Sequence, residues 1–241
     1  MNSNKIKFIA CVSMLVDHMG LMFFPQYEWM RWCGRLAMPL FAFFIAEGCR
    51  YTKNKLRYFM RTFLLGLACQ TVYTAEEILS GGIRSVYLNI LFTFSFSMLI
   101  CFVYLELEKA LESRDKTRIF EKSAGFVLTV IAIYVFGIFC TYSKQLTGMS
   151  IYFDYGVGGV LLPLFALLGK DKKTRLICYT LGVILFALSL SEKLSYIWFS
   201  LLDIPLLFLY NGERGSAKFK YAFYVFYPLH LGALYLIDMF I

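Results

Sequence analysis

The chain has 241 residues, of which 59% are hydrophobic and 17% charged, and its mean hydropathy is +0.64. Soluble domains run at ~45–50% apolar residues, so the composition excludes an ordinary soluble protein and points to an integral membrane one. The net charge of +8 does not indicate nucleic-acid binding, because the cations are distributed as a membrane topology requires.

Nine apolar segments follow one another: 6–24, 34–49, 57–75, 88–105, 124–141, 153–169, 176–190, 194–210 and 220–240. A helix needs about 20 apolar residues to cross a bilayer core of ~30 Å. Segment 34–49 is short, so eight or ten crossings also fit. The predicted fold is an all-α, polytopic membrane helix bundle of about nine transmembrane helices, forming a single domain over 1–241. The first segment carries Asp17 and His18 and no small-residue cleavage site, so a retained helix is expected rather than a signal peptide. The basic residues gather in alternate loops. Lys5 and Lys7 precede the first segment, and Arg50, Lys53, Lys55, Arg57 and Arg61 follow the second. Lys109, Arg114, Lys116, Arg118 and Lys122 follow the fourth, Lys170, Lys172, Lys173 and Arg175 the sixth, and Arg214, Lys218 and Lys220 the eighth; only Arg31, Arg35, Arg84, Lys144 and Lys193 lie elsewhere. The positive-inside rule makes that side cytoplasmic, with the N-terminus in and the C-terminus out. Stretch 106–122 is rich in both signs and reads as a solvated loop with a short amphipathic helix.

The two histidines of the chain, His18 and His230, fall within the first and last segments. An ionisable group at bilayer depth costs ~2.5 kcal/mol or more on insertion scales and is a functional candidate by default. Histidine also trades a proton near neutral pH. At ~1.5 Å per helical residue, His18 lies ~18 Å and His230 ~15 Å from the same surface, so the two imidazoles can meet if the first and last helices are neighbours. Asp17 and His18 point ~100° apart on a helix. Asp17 is therefore expected to hold a cation such as Arg35 or Arg61 rather than to orient His18. Asp203 is the other deep carboxylate. Pro39, Pro163, Pro205 and Pro228 fall inside segments, where each removes a backbone hydrogen bond, and Pro205 and Pro228 lie beside Asp203 and His230. Gly156, Gly158 and Gly159 are small enough for close helix packing. The cationic loop 50–61 can hold an anionic phosphate, although topology alone accounts for its charge. Cys11, Cys33, Cys49, Cys69, Cys101, Cys140 and Cys178 show neither a C-x-x-C nor a Cys/His metal spacing, so neither a disulfide framework nor a metal site is expected.

Three N-terminal runs, Met14-Leu15-Val16-Asp17-His18-Met19-Gly20, Gly34-Arg35-Leu36-Ala37-Met38-Pro39-Leu40-Phe41 and Glu47-Gly48-Cys49-Arg50-Tyr51-Thr52, carry a recognisable pattern. With Tyr210-Asn211-Gly212-Glu213-Arg214-Gly215 and Phe223-Tyr224-Val225-Phe226-Tyr227-Pro228-Leu229-His230-Leu231, the sequence resembles the TraX family of bacterial membrane proteins. The resemblance runs through nearly the whole chain, with specific ends and a generically hydrophobic middle. It implies a multi-pass protein of the bacterial inner membrane that transfers an acetyl group from acetyl-CoA; for the family's namesake the acceptor is the N-terminal amine of a pilin subunit. It also implies likeness to polytopic acyltransferases with a histidine in an early helix. The arginine that precedes that histidine in many of those relatives is replaced here by Asp17.

The expected site therefore comprises His18 as general base, preferred on family position although either histidine could serve, His230 in oxyanion stabilisation or proton relay, Arg35 as a second oxyanion candidate, and Asp17 beside them. Arg50, Lys53, Lys55, Arg57 and Arg61 are expected on the acetyl-CoA phosphates. No metal and no nucleic acid is expected, and the partners are acyl-CoA, an acceptor amine or hydroxyl, and the bilayer. A covalent acetyl-histidine is a less favoured variant. Two other classes remain open: a proton-coupled transporter or flippase, and a non-enzymatic membrane assembly factor.

Overall fold

The computed structural model describes residues 1–79, 82, 85–190, 194–238 and 240. The described chain is nearly all helical and falls into two compact units, Met1–Phe44 with Gly169–Ile241, and Ile45–Leu168.

In the first unit, α1 (Ser3–Met22) begins at Asn2, whose side chain accepts the amide of Lys5 and so satisfies one of the orphan donors of a first helical turn. The chain start is clasped by the segment that precedes the last helix. The Met1 amine donates to the Leu209 carbonyl at 2.5 Å, Asn211 N–H donates to Met1 O, and Ser3 N–H donates to Glu213 O, both at 2.9 Å. The Ser3 hydroxyl donates to Arg214 O, and Asn4 Nδ2 donates to Ser216 O at 2.9 Å. Gly215 sits in this clasp at φ +73°, against the side chains of Asn4 and Asn2, a conformation and a closeness that a Cβ would oppose. A 3-10 turn (Ala217–Phe219) then leads into α11 (Lys220–Asp238), which leaves the clasp alongside α1 and packs against it.

The short helix α2 (Glu28–Gly34) folds back on α1. The Ser13 hydroxyl donates to Cys33 O at 2.6 Å, a Cβ on Gly20 would crowd Met30, and one on Gly34 would run into the carboxylate of Asp17. Positions 13, 17 and 20 are one face of α1, spaced i, i+4, i+7. Helix α3 (Ala37–Tyr51) carries Pro39 in its first turn, where a missing amide costs little. Helix α8 (Lys172–Ser189) is capped by Asp171, which accepts Thr174 N–H at 3.0 Å and the Thr174 hydroxyl at 2.7 Å; these bonds, backbone before side chain, hold its carboxyl below the usual range. The buried Tyr179 of α8 donates its hydroxyl to Pro39 O and meets Phe43 edge to face. Segment 194–210 is broken into α9 (Leu194–Leu201) and α10 (Asp203–Phe208); Pro205 supplies no amide to the carbonyl four residues earlier. Pro228, in contrast, lies within an unbroken α11.

In the second unit, α4 (Lys55–Leu79), α5 (Ile90–Ser113), α6 (Lys116–Thr147) and α7 (Gly156–Phe165) follow in order. Ile100, Ile133, Phe153 and Val160 form their buried core. Asn89 caps α5 by accepting Leu91 N–H at 3.1 Å, while its Nδ2 donates to Gly66 O at 2.9 Å and Gln70 Oε1 at 3.2 Å. The stretch 106–122, expected as a solvated loop with a short amphipathic helix, is almost wholly helical. Helix α5 runs on to Ser113, Arg114 turns left-handed at φ 57°, and Asp115 caps α6 through the amides of Thr117 and Arg118. Charges of both signs are compatible with helix ends, and Glu106 and Lys109 pair across one turn at 3.2 Å. The strands β1 (Ser85–Leu88) and β2 (Ser150–Phe153), absent from the sequence reading, pair in parallel from Ser85↔Ser150 to Leu88↔Phe153. The ladder ties the link between α4 and α5 to that between α6 and α7, so both links lie at one end of this unit.

Among the described residues, α5 and α6 are long and apolar enough to cross a membrane. They differ in surroundings: 61% of the apolar window of α5 is buried within the protein, but only 11% of that of α6. Helix α6 therefore offers its apolar sides outward, as a lipid-facing helix does.

Asn89 makes three buried polar contacts and is 1% exposed. Asn89→Ala removes a cap and strands their partners, and is expected to destabilise the protein by about 1–3 kcal/mol, read as an earlier midpoint in an SDS unfolding titration.

Candidate functional site

The parallel start of α1 and α11 brings their histidines together. His18 Nδ1 lies 2.8 Å from His230 Nε2. The rings are 12° from parallel with centroids 5.0 Å apart. A centroid separation so much larger than the nitrogen separation means that the rings meet edge to edge, close to one plane. His230 is buried at 6% exposure, and His18 is half-buried. The His230 ring also stacks on Phe226, at 4.7 Å and 8°, and meets Tyr227 edge on at 5.8 Å.

The hydrogen bonds fix the tautomers of the neutral pair. His230 Nδ1 is 2.8 Å from the carbonyl oxygen of Phe226. A carbonyl only accepts, so Nδ1 carries the proton and Nε2 of His230 is left as an acceptor. Nδ1 of His18 must then donate to it, and Nε2 of His18 keeps its lone pair. The peptide of Phe226 thus sets the protonation of both rings, with the unprotonated nitrogen at the far end, on the more accessible histidine.

Asp17 points away from this pair, as the ~100° step between adjacent helical residues requires. The cation found on it is Arg31, which the sequence reading had not selected: Nη1 of Arg31 is 2.8 Å from the carboxylate and 3.3 Å from the Asp17 carbonyl. The side chains are 27% and 15% exposed. Arg31 lies between two of the apolar segments; the apolar spacing of the short α2 is the signal that points to it. Arg35 ends α2 next to Gly34, with its guanidinium 4.5 Å from the centroid of the Tyr196 ring. The α1–α2 face therefore gathers Asp17 and Arg31, the α1–α11 face gathers His18 and His230, and Arg35 lies against Tyr196 of α9.

The five loop cations belong to the second unit and do not act alike. Arg50 donates to Leu167 O at 2.9 Å and is 3.6 Å from Glu108. Lys55 is 2.6 Å from Glu106 and lies over the Phe102 ring at 5.5 Å. Lys53 and Arg57 are exposed, and Arg61 is half-buried in α4. Asp203, in the first unit, is fully buried at the break before α10, and neither of its carboxylate oxygens has a hydrogen-bond partner among the described residues.

These features define a helical membrane protein with a hydrogen-bonded pair of imidazoles between its first and last helices. The chain belongs to the TraX family, described as "TraX protein", which it matches over residues 2–238. It is similar to "Probable fimbrial assembly protein FimC, serogroup H1" of Dichelobacter nodosus, 28% identical over 260 residues covering 98% of this chain and 96% of that one. It is also similar to "Uncharacterized protein RP591" of Rickettsia prowazekii (strain Madrid E), 32% identical over 84 residues, or 35% of this chain and 33% of that one. No solved structure matches it.

Because the chain has two histidines, the tautomer assignment is directly testable. Nitrogen-15 NMR of protein labelled at histidine, under conditions where both rings are neutral, should show two protonated Nδ1 and two unprotonated Nε2 signals. A protonated Nε2 on His18 would contradict the assignment.

Proposed function

We propose that this protein is a membrane-embedded acetyltransferase that moves an acetyl group from cytosolic acetyl-CoA to an amine or hydroxyl acceptor. The observation that carries the reading is the bonded series Phe226 carbonyl–His230–His18, which ends in a lone pair on a half-buried imidazole. A general base needs such a nitrogen within reach of the proton it removes. The fimbrial assembly name of a relative supports a pilus subunit, through its terminal amine, as the acceptor class.

In this reading the chain crosses the bacterial inner membrane about nine times, with its N-terminus in the cytoplasm. His18 Nε2 takes the proton as the acceptor nitrogen or oxygen attacks the thioester carbonyl. The tetrahedral intermediate collapses, the C–S bond breaks, and the CoA thiolate leaves with the proton that His18 returns. Both nitrogens of His230 are engaged, so of its two candidate roles orientation and charge sharing suit it better than oxyanion binding. The developing oxyanion is then assigned to Arg35, which would have to turn from the Tyr196 ring to meet it. Asp17 and Arg31 hold α2, and with it Arg35, against α1. Of the loop cations, Lys53 and Arg57 are the exposed members that would meet the CoA phosphates first, whereas Arg50 and Lys55 would have to exchange Glu108 and Glu106 for them.

One observation favours a second reading. A fully buried carboxylate beside a break in a helix is also what a proton-coupled transporter uses. That reading predicts proton flux into proteoliposomes, lost in Asp203→Asn, without consumption of acetyl-CoA.

For the acetyltransferase, release of free CoA thiol by purified protein is expected to fall by ~10²–10⁴ in His18→Ala, the range of a general base, and by less in His230→Ala, with acetyl-CoA binding retained by both. Unchanged turnover in His18→Ala would overturn the assignment.

A further inference from the structure

The second unit contains a groove that shares with the chemistry above only the Lys55–Glu106 pair at its rim. It has a volume of about 460 Å³ and lies where the start of α4, the end of α5 and the start of α6 converge. That volume falls within the ~300–1,000 Å³ of small-molecule sites. One end is charged, with Lys55, Glu106, Glu121 and Lys122; the other is apolar, walled by Phe102 and Val103 with Gly125 and Thr129. From Lys122 to Thr129 along α6 is ~10 Å, so the groove runs from a charged lip down into the apolar length of the helix. The hydroxyl of Thr129 donates to Gly125 O at 2.8 Å, which leaves its methyl group to the groove. A Cβ on Gly125 would meet nothing within 4 Å, so open space adjoins the helix there.

We propose that this groove binds one phospholipid whose headgroup carries a primary ammonium, with the headgroup at the lip and part of an acyl chain against Phe102, Val103 and Gly125. Charge complementarity selects this occupant. Glu106 is already answered by Lys55 at 2.6 Å and by Lys109 at 3.2 Å. The adjacent Glu121 and Lys122 remain at the lip as one acid and one base, matching the ammonium and the phosphate of such a headgroup. A wholly anionic lipid leaves Glu121 facing a negative charge, and a quaternary ammonium gives it no N–H to accept. The surroundings suit a lipid as well, because α6 turns most of its apolar surface outward. The lip belongs to the basic side of the chain, where Lys and Arg draw phosphate headgroups to the surface.

The test is native mass spectrometry of the full-length protein, delipidated in detergent and offered phosphatidylethanolamine, phosphatidylcholine or phosphatidylglycerol. Wild type is expected to retain one phosphatidylethanolamine with about tenfold preference over phosphatidylcholine, the scale of one charge-assisted contact. Gly125→Phe, whose ring fills the groove, should lose that lipid, and Gly125→Ala should keep it. Glu121→Gln should abolish the preference between the two headgroups while retaining lipid. Equal retention of the headgroups by wild type, or undiminished retention by Gly125→Phe, would overturn the proposal.

Discussion

The clasp between the first four residues and the segment 209–216 determines what the first unit can do. Two helices that leave one point side by side, with the same rise per residue, keep their side chains at matching levels. Asn4 bonds Ser216 in the clasp and His18 bonds His230 in the interior, and both pairs are 212 residues apart in sequence. The clasp thus holds the starts of the two helices together, and the imidazoles meet farther along them. Nothing at the histidines themselves need select this pairing. The bonds of Ser3, Asn4 and the main chain around Glu213 to Ser216 do so at a distance, and Gly215 permits the turn that makes them.

Helix α11 also fixes the chemistry of the pair locally. Phe226 and His230 are one helical turn apart, so the carbonyl of one reaches the ring of the other, and the two rings stack. A single residue therefore fixes both the tilt and the tautomer of His230, and His18 inherits its tautomer through the bond between the rings. Pro228 does not interrupt this, since α11 continues through it. Asp17 takes no part, because its neighbours on α1 face α2. Its role is to hold Arg31 while Gly34 leaves room for its carboxylate.

Features governed by counting along a helix were legible in the sequence. The meeting of His18 with His230 and the divergence of Asp17 both follow from a fixed rise and a fixed angle. Features that depend on a few local residues were not. Helix α2 has too few residues to present a span, so Arg31 looked like part of a loop. The strands β1 and β2 are four residues each and pair across sixty residues of intervening chain, which no local pattern signals. The charges of stretch 106–122 suggest a loop around a short helix, yet Asp115 and the left-handed Arg114 compress the turn into two residues. The break at Leu202 was foreshadowed by Pro205, but the unbroken α11 shows that a proline alone does not decide the outcome; the neighbouring helices supply or withhold the compensation.

The bonded series of histidines has one closed end, and that bears on what it is for. A proton taken at Nε2 of His18 can be shared by shifting the Nδ1 proton toward His230, which spreads the positive charge over two rings. It can go no further, because Nδ1 of His230 faces a peptide carbonyl, which is far too weak a base to accept a proton in turn. The charge must therefore return by the nitrogen through which it entered. A catalyst that removes a proton from one atom and gives it to another at the same place needs a single accessible nitrogen with a polarisable, well-oriented partner behind it, which is the role the buried carboxylate has behind the imidazole of a catalytic triad. His230 stands in that position, and its second contact with the backbone holds it there. In the proposed acetyltransferase reading, His18 is the base and His230 the partner that orients it and shares its charge.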